Sequence, residues 1–203
     1  QDLKEGKSIA IVSDAGMPGI SDPGEDIAKR GKSEGIDIIC IPGACAAITA
    51  LVSSGLPSSS FVFEGFLPKR QIDREKILLE ISKNNKTTII YESPKRLKKL
   101  LKELLEFCGE DREIIVAREL TKKFEEHVGN NIKEVIEFFK GKDIIGEITI
   151  VVNGIKKADL NFDKFTIKKD LQDLMNAGLS LSKASKFLAK KNGVKKSEIY
   201  NLI

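Results

Sequence analysis

The sequence predicts an α/β protein. Stretches of consecutive apolar residues alternate with charged stretches of helical periodicity, and Gly or Pro separates most of them. With 203 residues, of which 41% are hydrophobic, the chain is long enough to build sizeable cores. After Gly154 the alternation ends and only short helical stretches follow. We therefore expect two mixed α/β domains and a small C-terminal helical module.

The first predicted domain spans residues 1–57. Its apolar stretch "SIAIVSD" predicts a buried strand, and "IDIICIPG" predicts the next. Two helices are expected to follow these strands, one in "PGEDIAKRGKSEG" and one in "ACAAITALVSSG", which closes at Gly55. The order strand, helix, strand, helix implies a parallel sheet. The Pro and Ser residues of "LPSSS" then mark a domain boundary.

The second predicted domain spans residues 58–155. After the apolar stretch "FVFEGFLP" we expect a helix around 70–84, a helix in "IKEVIEFFKG", and strands in "TTIIYES", "REIIVAREL" and "GEITIVVNG". The clearest helix is "SPKRLKKLLKELLEFCG", where Ser93 is the expected cap, Pro94 suits the first turn and Gly109 ends the helix. Its apolar residues form one stripe, made of Leu97, Leu100, Leu101, Leu104, Leu105 and Cys108.

The C-terminal module, residues 156–203, is basic. It contains eleven Lys against five Asp or Glu, whereas the whole chain has a net charge of only +4. Three short helices are expected, in "IKKDLQDLMNAG", "LSKASKFLAKKNG" and "KSEIYNLI". This pattern fits a helix-turn-helix-like module that contacts RNA. It fits equally well a small helical appendage that has only a packing role and carries a solvated, Lys-rich surface.

Composition excludes several classes of protein. His127 is the only histidine, so Ser-His-Asp catalysis and multi-histidine metal sites are not expected, although a carboxylate-bound magnesium ion stays open. Cys40, Cys45 and Cys108 lack metal-ligand spacing, and their odd number argues against a secreted disulfide framework. No apolar run is long enough to span a membrane or act as a signal core. We expect a cytoplasmic protein with no membrane partner.

Two glycine-rich turns follow the predicted strands of the first domain. In an open α/β sheet, ligands bind beyond the C-terminal ends of the strands, and both "SDAGMPG" and "IPGACAA" stand at such ends. Glycine allows the backbone to approach a ligand closely, and the alanines that follow Gly43 add little bulk. Neither turn is a Walker loop or a GxGxxG motif. These residues point to a nucleotide-like ligand, while tight turns without a ligand remain the alternative.

Longer blocks carry a family resemblance. "VSDAGMPGISDPG", "IPGACAAITALVSSGLPSSSFVFEGFLP", "YESPKRL", "ARELTKKFEE" and "GEITIVV", in this order, resemble the tetrapyrrole methylase superfamily, most closely its members that act on ribosomal RNA. The resemblance implies two α/β domains with S-adenosylmethionine folded into the cleft between them, usually in a homodimer. It also implies 2′-O-ribose methylation of a cytidine in the decoding region of 16S rRNA, as free rRNA or within the small ribosomal subunit.

The resemblance also implies which residues contact the cofactor. Positions that match the family's cofactor-binding blocks are Gly16, Met17 and Ile20 in the first turn, Ala46 and Ala47 at the second, and Tyr91, Ala117 and Glu147 in the second domain. Each of the last three has a simpler explanation. Tyr91 could be an amphipathic residue at a strand end, Ala117 a core residue, and Glu147 a surface charge.

Methyl transfer to a hydroxyl requires alignment of the reacting atoms and removal of a proton. Among the charged residues of the family-like blocks, Glu92 or Glu119 could be the base, and Arg118 and Lys122 could hold a phosphate or the alkoxide. Solvated ion pairs are the alternative for each of them. The residues alone do not identify the base.

The chain departs from the family pattern at its N-terminus. Family members begin with a strand and a glycine-containing loop, whereas this sequence starts at Gln1, almost directly on "GKSIAIVSD". About two strands and two helices make a poor core, so we expect weak cofactor binding and poor or no catalysis. Two other hypotheses follow: a family member with a tetrapyrrole or protein substrate, and a non-catalytic RNA-binding remnant.

Overall fold

The computed structural model describes residues 1–155, 164–192 and 196–202. The chain divides into two compact units, Gln1–Ile155 and Lys156–Ile203. The division falls where the sequence predicts the C-terminal module to begin. Residues 1–57 and 58–155, which the sequence analysis treats as two domains, belong to one unit because helix and loop residues before residue 57 pack on the sheet that follows.

The first unit contains one five-stranded sheet. Its strands are β1 (Phe61–Phe66), β2 (Thr87–Glu92), β3 (Glu113–Arg118), β4 (Glu126–Asn131) and β5 (Ile148–Val152). Their order across the sheet is β1-β2-β5-β3-β4. The β1–β2 pair is parallel, and the other three pairs are antiparallel. With the helices described next, this mixed sheet confirms the predicted α/β class.

Five α-helices belong to the same unit: α1 (Glu25–Ser33), α2 (Ala46–Ser54), α3 (Gln71–Lys83), α4 (Pro94–Cys108) and α5 (Ile132–Phe139). A 3₁₀ turn, Asp2–Glu5, precedes them. Helix α4 has its predicted bounds, with Pro94 in the first turn and Gly109 at the C-cap. Ser93 stands at the N-cap position, but its hydroxyl caps no backbone N–H and instead accepts a hydrogen bond from Arg96 Nε at 3.1 Å.

Helices cover both faces of the sheet. On one face, α3, α4 and α5 bury the larger cluster, which includes Leu97, Leu101, Ile90 and Ile150. On the other face, α2 packs over β2 and β5. Its small side chains let it approach closely, and it buries a second cluster made of Ala47, Ala50, Leu51, Leu56, Ile89, Ala117 and Val151. The period of two along each strand sends alternate side chains to the two clusters.

The two strands predicted in residues 8–14 and 36–43 are absent, so the predicted parallel sheet of the first domain is wrong. Both segments lack a ladder partner among residues 1–155, and a strand forms only beside another strand. Their apolar side chains are largely exposed: Val12 is 85% exposed, Ile39 81% and Ile41 78%. Strand β4 was not predicted, because its sequence "EHVGNN" has no apolar pattern.

The second unit contains α6 (Lys164–Asn176), α7 (Leu181–Asn192) and α8 (Lys196–Tyr200), which correspond to the three predicted helices. Their apolar side chains form a cluster of their own, made of Ile167, Leu171, Ala184, Leu188, Ala189 and Ile199. Among the helices of the described segments, none has the length and apolar character that a bilayer crossing requires.

Candidate functional site

A pocket of about 790 Å³ lies at one edge of the sheet. Strands β2 and β3 both run antiparallel to β5 and therefore end at the same edge, where β5 begins. The pocket is lined by the segments after β2 and β3, the segment that leads into β5, the first turn of α2 and the glycine-rich loop of residues 11–23. Its volume is typical of a site for a small organic ligand.

The glycine-rich loop forms one wall of the pocket. Gly16 and Gly19 have φ values of 79° and 80°, a region that residues with a Cβ rarely adopt. Ser13 Oγ closes the turn by donating a hydrogen bond to the Gly16 carbonyl at 2.8 Å. A Cβ on Gly16 would lie 3.4 Å from the Ala44 carbonyl oxygen, so the two predicted glycine-rich turns lie against each other. The expected convergence of these turns is present without the expected strands.

Tyr91 joins the sheet to α2. Its hydroxyl oxygen accepts a hydrogen bond from the Ala47 backbone N–H at 3.0 Å. Burial raises the pKa of Tyr91 to about 12, so the phenol is neutral at neutral pH. Its ring meets those of Phe63 and Phe66 edge-on, with centroid distances of 5.0 and 5.7 Å. Phe66 is 52% exposed and lines the pocket, where it offers a stacking surface to a planar ligand.

A lysine between two carboxylates lies on the opposite wall. Lys122 Nζ is 2.9 Å from Glu119 Oε1 and 3.1 Å from Glu147 Oε2. Glu119 Oε1 also accepts the Glu147 backbone N–H at 2.8 Å. Gly146 makes room for this arrangement, because a Cβ there would lie 2.5 Å from Glu119 Cγ.

The backbone and the charges hold this group together. Glu119 and Thr121 have φ values of 52° and 65°, an uncommon conformation for residues with side chains that often marks functional sites. The hydrogen bond to Glu119, and then that to Glu147, raises the pKa of Lys122. The same bond to Lys122 is the main cause that lowers the pKa of Glu119. Lys122 is therefore a cation, and Glu119 an anion, across the neutral range.

The lining of the pocket is acidic. Asp14, Asp22 and Glu147 contribute carboxylates, against the single ammonium of Lys122. A fourth carboxylate, Glu92, is compensated by the two arginines described next. The net negative lining favours a cationic ligand and disfavours a phosphorylated one.

Glu92 belongs to a buried ionic network behind the pocket. Its side chain accepts the Ser93 N–H at 2.7 Å and lies 2.7 Å from Arg96 Nη2 and 3.5 Å from Arg74 Nη2. Arg74 Nε in turn donates to Glu103 Oε2 at 2.8 Å. Arg74 and Glu92 are 3% and 2% exposed. Oε1 is occupied by Ser93 and Arg96, and Arg74 lies near Oε2, so this buried side chain links two arginines and has a structural role.

The structure brings together most of the predicted cofactor residues. Those that line the pocket are Gly16, Met17, Ile20, Ala46, Tyr91 and Glu147. Ala47 does not line it, because its N–H is bonded to Tyr91 and its side chain is buried between α2 and the sheet. Ala117 is 1% exposed and belongs to the same apolar cluster.

The catalytic candidates divide between two cavities. Lys122 and Glu92 line the large pocket, whereas Arg118 and Glu119 line a neighbouring cavity of about 360 Å³. Arg118 is paired with Glu126 at 3.0 Å. Asp14, Asp22 and Phe66 also line the large pocket and were not predicted as site residues. A carboxylate at the C-terminal end of a predicted strand was an available signal for Asp14.

A metal site is not evident. Within the described segments, His, Cys, Asp and Glu side chains form no group of three or more that could hold an ion.

Comparison with solved structures identifies the fold. A cobalt precorrin-4 methyltransferase of cobalamin biosynthesis aligns with a TM-score of 0.52 over 68% of this chain and 61% of its own, at 19% identity. The methyltransferase CobJ aligns with a TM-score of 0.55 over 75% of this chain and 67% of its own, also at 19% identity. At such identities the likeness establishes the fold alone.

Sequence comparison identifies the family. The profile of the tetrapyrrole (corrin/porphyrin) methylases matches residues 1–136, and the chain belongs to this family. Curated relatives named ribosomal RNA small subunit methyltransferase I include those of Synechocystis sp., at 39% identity over 98% of this chain and 72% of the relative, and Bacillus subtilis, at 40% over 98% and 70%. The relative from Thermotoga maritima is 45% identical over 75% of this chain and 68% of its own. The family resemblance noted in the sequence is confirmed.

Proposed function

We propose that this chain is an S-adenosylmethionine-dependent methyltransferase that methylates the ribose 2′-oxygen of a cytidine in the decoding region of 16S rRNA. The acidic pocket at the sheet edge is the observation that carries the proposal. The names of the curated relatives support ribosomal RNA as the substrate. The choice of a decoding-region cytidine and of its ribose 2′-oxygen rests on the motif resemblance.

The charge of the pocket supports the cofactor. S-adenosylmethionine carries a sulfonium, an ammonium and one carboxylate, and so has a net positive charge. A lining with three carboxylates besides the arginine-paired Glu92, and with one lysine, favours this ligand over nucleotides that carry phosphates. The volume of about 790 Å³ is sufficient for a molecule of this size.

Individual residues fit parts of the cofactor. Asp14 and Asp22 are carboxylates that accept hydrogen bonds from ribose hydroxyls or an ammonium group. Phe66 offers the face of an exposed ring to an adenine. Gly16 and Ala46 present backbone without bulky side chains. When bound, the cofactor supplies a methyl group activated by the sulfonium.

The protein's part in the reaction is to stabilise the acceptor oxygen. The ammonium of Lys122, protonated because two carboxylates hold it, stabilises negative charge that develops on the 2′-oxygen. Glu147, whose side chain is 76% exposed, is the proposed acceptor of the hydroxyl proton. Glu119 positions Lys122. Glu92 is an unsuitable base because arginines neutralise it, and Glu119 because its pKa is lowered.

Calorimetric titration of S-adenosylmethionine tests the pocket. Although the N-terminal departure from the family pattern predicts weak binding, the pocket predicts saturable binding in the micromolar range, and at least tenfold weaker binding by Gly16→Ala. Gly35→Ala is the matched control, because Gly35 has a similar φ of 73° but no atom within 4 Å of an added Cβ. Both variants have about the same backbone cost of ~1 kcal/mol, and only Gly16 touches the pocket. Equal affinity of the two variants would place the cofactor elsewhere.

Nucleoside mass spectrometry after incubation with 30S subunits and S-adenosylmethionine tests the reaction. New 2′-O-methylcytidine in the decoding region is expected. RNA binding without cofactor binding would favour the non-catalytic remnant. Cofactor binding without transfer to RNA would favour a family member with a tetrapyrrole or protein substrate.

We also propose a cytoplasmic homodimer. Ribosomal subunits, the proposed substrate, are cytoplasmic. The exposed apolar side chains of Val12, Ile39 and Ile41 are more typical of an interface than of a monomer's surface. Sedimentation velocity of the chain should give a dimer at micromolar concentration, and a concentration-independent monomer would contradict this assembly.

A further inference from the structure

One helix of the first unit has an exposed face on which all the charges are positive. Lys95, Lys98, Lys99 and Lys102 are all exposed on α4, and we call them the α4 lysine stripe. At 3.6 residues per turn they lie within an arc of about 100° and along about 10 Å of the helix axis. The same face carries no acidic residue until Glu106.

The other charged helices of this unit are mixed. Helix α3 reads "QIDREKILLEISK" and α1 reads "EDIAKRGKS", so both helices carry acidic as well as basic side chains. Helix α5 has two Glu against one Lys. A solvated surface helix is usually of this mixed kind, which makes α4 distinct.

The stripe has few internal partners. Lys95 and Lys102 form no ion pair with any residue in the described segments. Lys99 Nζ is 3.6 Å from Glu103 Oε1, a carboxylate that Arg74 also holds. Lys98 donates to a carbonyl oxygen, that of Lys142, at 2.7 Å. This contact brings a fifth lysine beside the stripe.

The stripe starts at the pocket. Ser93 and Pro94, which precede Lys95, line the pocket. Arg96, in the first turn of α4, is held by Glu92 Oε1 at 2.7 Å and by Ser93 Oγ at 3.1 Å, and its side chain is 33% exposed. The buried Glu92 thus fixes a guanidinium near the pocket, at the end of the stripe. An acidic pocket and a basic helix face therefore adjoin each other.

We propose that the α4 lysine stripe is the docking surface for the sugar–phosphate backbone of the RNA substrate. This inference rests on the proposed function and names the surface that the substrate occupies. The acidic pocket repels phosphates while the stripe attracts them, so the backbone runs along α4 and the target nucleoside faces the pocket. Arg96 binds the phosphate nearest the target. The basic C-terminal module is not needed for this contact.

The test measures how salt changes RNA affinity. The triple variant Lys95→Gln, Lys99→Gln, Lys102→Gln removes three cations and leaves Lys98 with its carbonyl partner. Gln has nearly the helix propensity of Lys, so thermal unfolding should be unchanged. For an RNA of the 16S decoding region, the slope of log K against log salt should fall by about 2, with binding ~30- to 100-fold weaker at about 0.1 M salt.

Helix α7 supplies the matched control. Lys183→Gln, Lys186→Gln, Lys190→Gln removes three exposed lysines from one helix of the second unit, and it should leave the slope unchanged. The reverse result, an unchanged slope for the α4 variant and a reduced one for the α7 variant, overturns this inference and leaves the proposed function standing.

Cofactor titration separates the two proposals further. The α4 variant should bind S-adenosylmethionine as the unaltered chain does. An unaltered chain that binds S-adenosylmethionine but no RNA at about 50 mM salt overturns both this inference and the rRNA part of the proposed function. Loss of cofactor binding in the α4 variant would mean that these lysines support the pocket itself, and would also overturn the inference.

Discussion

Replacing Arg74 with Ala should lower the free energy of unfolding by about 3–5 kcal/mol. The substitution leaves the carboxylates of Glu92 and Glu103 in the interior without their shared cation. Both glutamates are at least nine-tenths buried, so water cannot replace the guanidinium. Urea unfolding of the full chain, followed by circular dichroism because the chain has no Trp, should give a midpoint lower by roughly 1–3 M.

Arg70→Ala is the control for this experiment. Arg70 directly precedes α3, is 74% exposed and lies 3.7 Å from Asp73. An exposed pair of this kind contributes little, and we expect a change of no more than about 0.5 kcal/mol.

The double variant Arg74→Met, Glu103→Leu distinguishes charge from packing. It removes one cation and one anion together and leaves Glu92 with Arg96. Replacement of a buried ion pair by apolar residues is often neutral or stabilising, so much of the lost stability should return. If the free energy of unfolding of Arg74→Ala lies within ~1 kcal/mol of that of the unaltered chain, the buried network does not stabilise the fold as proposed.

Replacing Lys122 with Met should lower the kcat of methyl transfer by about 10²–10³-fold, because an ammonium aimed at developing charge acts mainly in the transition state. The KM for RNA should change little if Lys122 acts on the acceptor oxygen rather than on a phosphate. Methyl transfer to 30S subunits, measured at saturating cofactor, provides both constants. A kcat within threefold of the unaltered chain would exclude this role.

Lys123→Met is the matched control for Lys122. Lys123 carries the same charge one residue further on, and its ammonium lies 5.6 Å from the centre of the Phe124 ring, away from the pocket lining. Its removal should leave kcat nearly unchanged. Gly146→Ala, which would force the Glu119 side chain to move, should lower kcat while Lys122 is still present.

The pH dependence has a defined direction. The pKa of Lys122 is raised from its ordinary value of 10.5, so the ammonium is fully present below that pH and is lost only as the pH rises through the higher folded value. The basic limb of the kcat profile should therefore show no loss from Lys122 between neutral pH and about pH 9. A fall near pH 8 that disappears in Lys122→Met would contradict a protonated lysine.

Elements with a strong local signal were predictable. Helix α4 combines a Leu stripe, Pro at its start and Gly at its end, and its observed bounds are those of the sequence pattern. Strands β2 and β5 are buried along almost their whole length because helices cover both faces of the sheet, and each has an apolar centre that predicts a strand. The stretches 8–14 and 36–43 have a similar apolar content but no strand beside them. The composition of a stretch does not show whether another strand will pair with it. Strand β4 is the opposite case: its sequence has no strand pattern, and it is a strand because it pairs with β3.

The site was predictable in outline for the same reason. Glycine-rich turns after apolar stretches point to a pocket at a sheet edge, and Gly16, Met17 and Tyr91 all line it. Motif matching could not foresee that Tyr91 would occupy the N–H of Ala47. It also could not join Lys122 to Glu147, because 25 residues separate them and only the pairing of β3 with β5 brings them into contact.

The turn at Glu119 and Thr121 limits how the protein can be engineered for heat resistance. Their left-handed backbone costs on the order of 1–3 kcal/mol each, and glycine at either position would remove that strain. The same backbone conformation places the Glu119 side chain against Gly146, where Glu119 holds Lys122 beside the pocket. A consensus or computational redesign that selects for melting temperature would favour glycine at this turn. The more heat-resistant enzyme would then be the slower one, and stability screens of this family should retain both residues.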